Sequence, residues 1–371
     1  MILADLELAE TRAELVDVVD AMVQRVAPRT DAVLRADKAA GGVMDDALWR
    51  RLNSEIGAAG LAVPEEWGGS GASLAELAAV AEILGAQLTT VPLLGTWLAL
   101  ETLVRSGDAA QTATVASALE AGDALAVSFD TAQVRAEQLD GGWSLTGELD
   151  RVVDVAEATT LVLAARATDE VRWFVLPTSA VEVTRRDALD LTRSLSLVRL
   201  DGVAAQPVEV ADAAALLRTM RDIAAVLIAA EQLGVAEQAV ADAVAYAKER
   251  EQFGRAIGSF QAIKHCAADM ATEADLARSL VEHAVWAAVE APAALPGAAA
   301  SALVEASRSA CWVSAENVQI HGGIGFSWEH PAHLYFRKAR SNEMLWGDVA
   351  AWAEQAFDAY AYAADAGVGE S

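Results

Sequence analysis

The chain has 371 residues, 54% of them hydrophobic, which is too apolar for disorder and long enough for two or three domains around a sizeable core. Its formal net charge of −27 speaks against nucleic-acid binding but leaves room for a nucleotide ligand met by a local cation. The acidic start MILADLELAE lacks the basic region and apolar core of a leader, and charges break the alanine-rich stretches, so a soluble cytoplasmic protein without a membrane span is expected.

Residues 1–122 read as a helical domain. Its clearest helix lies over residues 73–85, where Leu74, Leu77, Ala81 and Leu84 share one face. Ser73 and Glu76 form an S-x-x-E capping box at its start. The glycines and proline of residues 64–71 mark a loop before it.

Residues 123–213 change character. Short runs at 124–129, 143–145, 160–165, 171–176 and 195–200 read as strands, punctuated by Gly141-Gly142 and Pro177. Close turn signals between short strands predict a compact antiparallel sheet domain.

From residue 214 to 371 helices return. Long runs are predicted over 214–251, with a break near Gly234, and over 261–290, 299–319 and 348–363, with a fraying tail at 367–371. Cys266 and Cys311 fall within these runs and read as buried thiols without zinc-type spacing, so no metal site is expected. The fold class is therefore α+β: a helical domain, a middle β domain and a C-terminal four-helix bundle.

Two segments carry chemistry. Where the first long helix stops, residues 250–261 read REQFGRAIGSFQ. Arg250 can fork onto a phosphate, Gln252 offers two donors and an acceptor, and Phe253 offers an aromatic face. Gly254 and Gly258 permit a tight turn with exposed backbone N–H groups. An ordinary helix–helix turn with a surface arginine would share this pattern. The second segment, residues 319–326, reads QIHGGIGF, in which Gly322 and Gly323 let another backbone or a phosphate come close. His321 by itself reads as a packing histidine.

Taken together, residues 246–261 resemble the C-terminal signature of acyl-CoA dehydrogenases. Residues 319–326, followed by Glu329-His330-Pro331, are similar to that family's second signature, and residues 60–71 look like its N-terminal domain. The resemblance implies the acyl-CoA dehydrogenase fold and α,β-desaturation of an acyl-CoA thioester, as in fatty acid or steroid side-chain β-oxidation. It also implies FAD as cofactor at a subunit interface of a tetramer, with electron-transfer flavoprotein as the electron acceptor. Carried over by position, Arg250, Gln252, Phe253, Gln319, Gly322 and Gly323 would contact the adenine and pyrophosphate of a neighbour's FAD.

The chain departs from that pattern where the chemistry begins. The family's catalytic glutamate falls either in a Glu-Gly pair after the glycine loop, here Trp346-Gly347, or on the long helix upstream of Gly234, here Ala224. Neither tryptophan nor alanine can take the α-proton. The flavin-ring contacts depart too: Ser128-Phe129-Asp130 stands for a Thr-Glu-Pro strand end, and Arg151-Val152-Val153 for Trp-Ile-Thr. This pattern resembles the base-lacking subunit of two-gene acyl-CoA dehydrogenases, in which a homologous subunit supplies the base, as in a heterotetramer. A self-sufficient enzyme with a relocated carboxylate, Glu343 or Asp348, stays open, as do a flavin oxidase or monooxygenase and a flavin-free interaction protein. Asp222 is disfavoured, because two residues along a helix turn a side chain by about 200°.

Overall fold

The structure, a computed structural model, describes residues 2–33 and 44–367, so the expected fraying of 368–371 lies outside them. In chain order come helices α1 (Ile2–Val26), α2 (Asp46–Arg51), α3 (Leu74–Ala86), α4 (Leu93–Ser106) and α5 (Thr112–Ala121). Strands β1 (Leu125–Ser128), β2 (Val134–Leu139), β3 (Gly142–Val153), β4 (Thr160–Ala167), β5 (Glu170–Pro177), β6 (Glu182–Arg185) and β7 (Leu195–Val208) follow. Then come α6 (Ala213–Glu249), α7 (Gln261–Glu290), α8 (Leu295–His321), α9 (Ala332–Asn342) and α10 (Val349–Gly367). None of the described helices is long and apolar enough to cross a membrane.

These residues fall into two compact units. One contains the described residues of Ala39–Glu76 and Thr90–Arg221. Its strands pair β4–β2–β3–β7–β5, and β5 pairs with β4 again, so the path closes into a small barrel to which β1 and β6 add. Closure removes open edges. Leu145, Leu149, Leu161, Leu163, Phe174 and Val198 fill its core. Most pairings are antiparallel as expected, but β4 runs parallel to β1, Leu125 opposite Thr160, and to β2, Arg135 opposite Arg166. A parallel pair needs a crossover, and here the β2–β3 hairpin provides it. Buried Thr96 on α4 accepts the Leu125 N–H at 3.1 Å, tying that helix to β1.

The other unit contains the described residues of Met1–Lys38, Leu77–Thr89 and Asp222–Ser371. Its spine is α6, in which every residue from 222 to 236 is buried. A helix surrounded on all sides must be apolar or have its polar groups satisfied. Each polar side chain on this stretch has a partner. Gln355 donates to Asp222 at 3.0 Å, and Gln232 donates to the Ala339 carbonyl at 2.9 Å. Glu231 meets the ammonium of Lys338, 1% exposed, at 2.8 Å, and Asn342 at 3.0 Å. Lys338 is thus buried on α9 and not part of a solvated cationic run with Arg337 and Arg340.

The expected break at Gly234 is absent, and α6 runs unbroken through it. Glycine is there for a different reason: a Cβ at 234 would lie 1.9 Å from the Glu82 carbonyl of α3, and one at Gly85 would lie 2.1 Å from the Glu231 carbonyl. The two backbones touch. Beside this contact Arg278 of α7 forks onto Glu237 at 2.7 and 2.6 Å and reaches Glu82 at 2.7 Å. Burial pushes the Glu82 carboxyl up, and Arg278 draws it back. At the start of α3 the capping box forms as expected: Ser73 N–H donates to Glu76 at 2.9 Å, and Ser73 Oγ accepts from Ala75 at 3.2 Å. Gly234→Ala forces backbone against backbone, so its urea midpoint should fall by the equivalent of about 3 kcal/mol or more, at the upper end of overpacking costs; an unchanged midpoint would refute the close approach.

Candidate functional site

The segment at the end of α6 forms a two-residue hairpin, with Glu251 opposite Ala256 and Gln252 opposite Arg255. Its central residues, Phe253 and Gly254, have φ of 53° and 78°. Two positive φ angles in succession define the tight turn that suits hairpin twist. Glycine takes this conformation freely, whereas phenylalanine is strained in it. The strained residue is also 93% exposed. The ring contact it makes in the chain is edge-on to Phe260, centroids 6.2 Å apart, and the Arg255 guanidinium covers Phe260 at 3.9 Å. Arg250 and Gln252 are exposed as well, Gln252 donating to the Glu251 carbonyl at 2.7 Å.

The glycine segment ends α8. Gly322 caps the helix with φ of 63°, and nothing lies within 4 Å of a Cβ built at Gly322 or Gly323. Gln319, one turn earlier, is exposed. The two segments are joined by rings. Tyr246, four residues before Arg250 on α6, stacks on His321 with centroids 4.3 Å apart and planes at 27°. His321 in turn packs against His330 at 4.2 Å. His321 is buried, and its Nδ1 lies 2.8 Å from the Asn317 carbonyl. A carbonyl only accepts, so Nδ1 carries the proton. The predicted contact residues therefore lie at two chain segments that one aromatic stack brings together. An exposed cation, an exposed amide, an exposed ring and two open glycines suit a nucleotide's phosphates and base.

The two positions expected for the base contain no acid. Ala224 is buried on α6. Trp346 is half-buried in a left-handed conformation with φ of 58°, followed by Gly347 at 145°. The nearby carboxylates are engaged elsewhere. Glu343 accepts from Arg340 at 2.8 Å and from the Cys311 thiol at 3.7 Å. Asp348 caps α10, accepting from Ala350 N–H at 3.0 Å, and Asp222 accepts from Gln355. Cys311 is buried as expected, its thiol pushed up to about 12 by burial and Glu343. Cys266 is half-exposed rather than buried, because it lies on the flank of α7 beside Glu316; burial and that carboxylate raise its thiol to about 11. Both stay protonated at neutral pH and are poor nucleophiles.

The other half of the expected cradle looks different. Phe129 is buried, edge-on to Trp173 with centroids 6.2 Å apart. Asp130 closes a local turn by accepting Ala132 N–H at 3.0 Å. Arg151 sits in a bulge between β3 and β7 with φ of 58°, and Val152 and Val153 beside it are buried. Valine offers no side-chain donor for a flavin ring.

What sequence reasoning missed was the ring stack. In the sequence His321 reads as a packing residue, and His330 and Tyr246 stand only as members of the two motifs. A signal was present in the three aromatic residues flanking both glycine-bearing turns, but nothing local revealed that they meet.

Comparison with known proteins adds to this geometry. Residues 9–123 match the model for the acyl-CoA dehydrogenase N-terminal domain, and residues 215–352 that for the C-terminal domain. Acyl-CoA dehydrogenase IpdE2 of Mycobacterium tuberculosis is 36% identical over 85% of this chain and 86% of its own length. Among solved structures, the ChsE4–ChsE5 complex from Mycobacterium tuberculosis is similar with a TM-score of 0.86, 29% identity and coverage of 95% of this chain and 97% of that one. A variant of the Tcur3481–Tcur3483 steroid ACAD is similar with a TM-score of 0.87, 28% identity and coverage of 96% and 99%.

The strain at Phe253 makes a prediction of its own. Asparagine tolerates the left-handed region, so Phe253→Asn should keep the fold and raise stability by about 1 kcal/mol, whereas β-branched Phe253→Val should lower it. Urea titration of the two variants checks the order, and equal midpoints would refute it.

Proposed function

The chain belongs to the acyl-CoA dehydrogenase family, and from that premise we propose that it is the base-lacking subunit of a heteromeric enzyme, completing the FAD site of a homologous partner. The observation that carries this reading is the absence of a free acid at the expected base positions: alanine and tryptophan stand there, while nearby Glu343, Asp348 and Asp222 are each held in another bond. Removing a weakly acidic α-proton needs a carboxylate within reach of the substrate.

Members of this family use FAD, and the flavin supplies the acceptor for the β-hydrogen as hydride. The residues present fit one half of that cofactor and not the other. Arg250 would neutralise pyrophosphate charge, Gln252 and Gln319 would offer hydrogen bonds, Phe253 would lie against the adenine, and the backbone at Gly322 and Gly323 would admit the phosphates. The ring-side strands offer buried Phe129, Val152 and Val153 instead of donors. In this reading the partner contributes the base and the ring contacts and orients the acyl-CoA, and this chain anchors the far end of the cofactor. Electrons then leave to an electron-transfer flavoprotein. The similarity to a two-component complex and to a steroid enzyme supports a heteromer acting on a bulky acyl group.

Two measurements test the proposal. Expressed alone, the chain should carry far less than one FAD per polypeptide; co-expressed with a homologue that retains its glutamate, the complex should be yellow and bleach with acyl-CoA. Stoichiometric FAD and turnover by the isolated chain would overturn it. Within the complex, Arg250→Ala in this chain should lower FAD affinity by about 10- to 100-fold, the loss of one charge-assisted contact at about 1.5–3 kcal/mol. Glu343→Gln and Asp348→Asn should leave turnover unchanged; abolition by either would favour a relocated base.

A further inference from the structure

The glycine segment is closed at its base by two histidines. His321 precedes residues 322–329 and His330 follows them, and their rings pack 4.2 Å apart at 36°. His330 does a second job. Its Nδ1 accepts the N–H of Ala332, the first residue of α9, at 3.2 Å. An imidazole nitrogen accepts only when it carries no proton. The other face of the stack is Tyr246 of α6.

The charges around His330 come from several elements. Arg29, in the turn after α1, is paired with Asp242 of α6 and reaches Tyr335 Oη of α9 at 3.4 Å. His333 lies on α9, itself facing Trp328 and influenced by Arg337. Asp242 would favour an imidazolium at His330, while Arg29, His321 and His333 oppose one.

We propose that His321 and His330 are positioning residues that clasp residues 322–329 in the neutral state, and that a proton on His330 opens the clasp. Protonation at Nδ1 replaces an acceptor with a donor facing the Ala332 N–H, so the bond at the start of α9 is lost. It also places a cation against the second imidazole and near Arg29. The segment that presents Gly322 and Gly323 is then released at its far end. The last step, weaker retention of the cofactor, rests on the function proposed above; the clasp itself does not.

The direction agrees with the surroundings of His330: burial, then His321, hold its imidazole below the ordinary value of 6.5. An unfolded or opened chain therefore binds more protons than the clasped one once pH falls through about 6.5. The clasp is fully stable above that pH and weakens below it.

Amide hydrogen exchange of the full-length chain over residues 322–329, corrected for intrinsic rates, reads the clasp directly. Protection should fall by up to about tenfold per pH unit between pH 6.5 and 5.5, the limit for uptake of one proton. His330→Asn keeps an acceptor at the Nδ1 position and cannot take the proton, so its protection should stay high and flat. His330→Ala should be flat and low. Equal pH dependence in wild type and His330→Asn, or none in wild type, would overturn the proposal. Should the variants misfold, the imidazole resonance of His330 in the wild-type chain serves: its midpoint must coincide with that of the loop amides, and separate midpoints would sink the clasp. If the loop opens with acid but the assembled complex keeps FAD equally well at pH 5.5 and 7.5, the clasp stands and the cofactor-holding role of the loop falls.

Discussion

The backbone contact between α3 and α6 sets the geometry of the unit they share. At Gly85 and Gly234 each helix meets a carbonyl of the other with no room for a side chain. Such an approach fixes both the distance between the helices and their rotation, because a shift of either brings a Cβ into the contact. Glu82 is thereby brought to Arg278 and Glu237, and Glu231, one turn before Gly234, is left facing α9 and Lys338. At the far end of the same helix Tyr246 carries the Phe253 hairpin to His321. A rigid α6 is therefore what lets two remote glycine-bearing turns share one surface.

The buried ions contribute more to uniqueness than to net stability. A buried pair such as Lys338 and Glu231 roughly breaks even against apolar side chains of the same size, yet removing one partner costs about 3–5 kcal/mol. Asn342 satisfies the second Glu231 oxygen, which keeps the pair from costing more than it returns. The bulk of the stabilisation comes from apolar burial along residues 222–236 and in the barrel core, at about 25 cal/mol per Å² removed from water. The polar network then selects one register of α9 on α6 among those the apolar surface would tolerate.

Much of this was legible in the sequence, for stated reasons. The capping box at Ser73 and Glu76 is local, and it formed as read. The alternation of helix, sheet and helix survives because composition changes sharply at each boundary. Placing Ala224 and Trp346 at the positions expected for the base needed only counting along a motif. Long-range pairings were hidden. The parallel pairings of β4 with β1 and β2 and the antiparallel pairing of β5 with β7 join strands with no local turn between them. Gly234 read as a breaker because glycine is ambiguous: the same residue ends helices and lets helices touch. The ring stack needed three residues from three elements, and no spacing rule connects them.

Trp346 shows how backbone conformation and side-chain chemistry separate at one position. Its left-handed backbone, continued by Gly347, costs about 1–3 kcal/mol whatever lies beyond the Cβ. That cost is a property of the turn, so the turn persists under any occupant that tolerates it. Which side chain stands at 346 is accordingly a matter of coding at one position, and the backbone path does not depend on it. A position of this sort is easily altered in evolution: one substitution changes what the side chain can do without having to reinvent the loop.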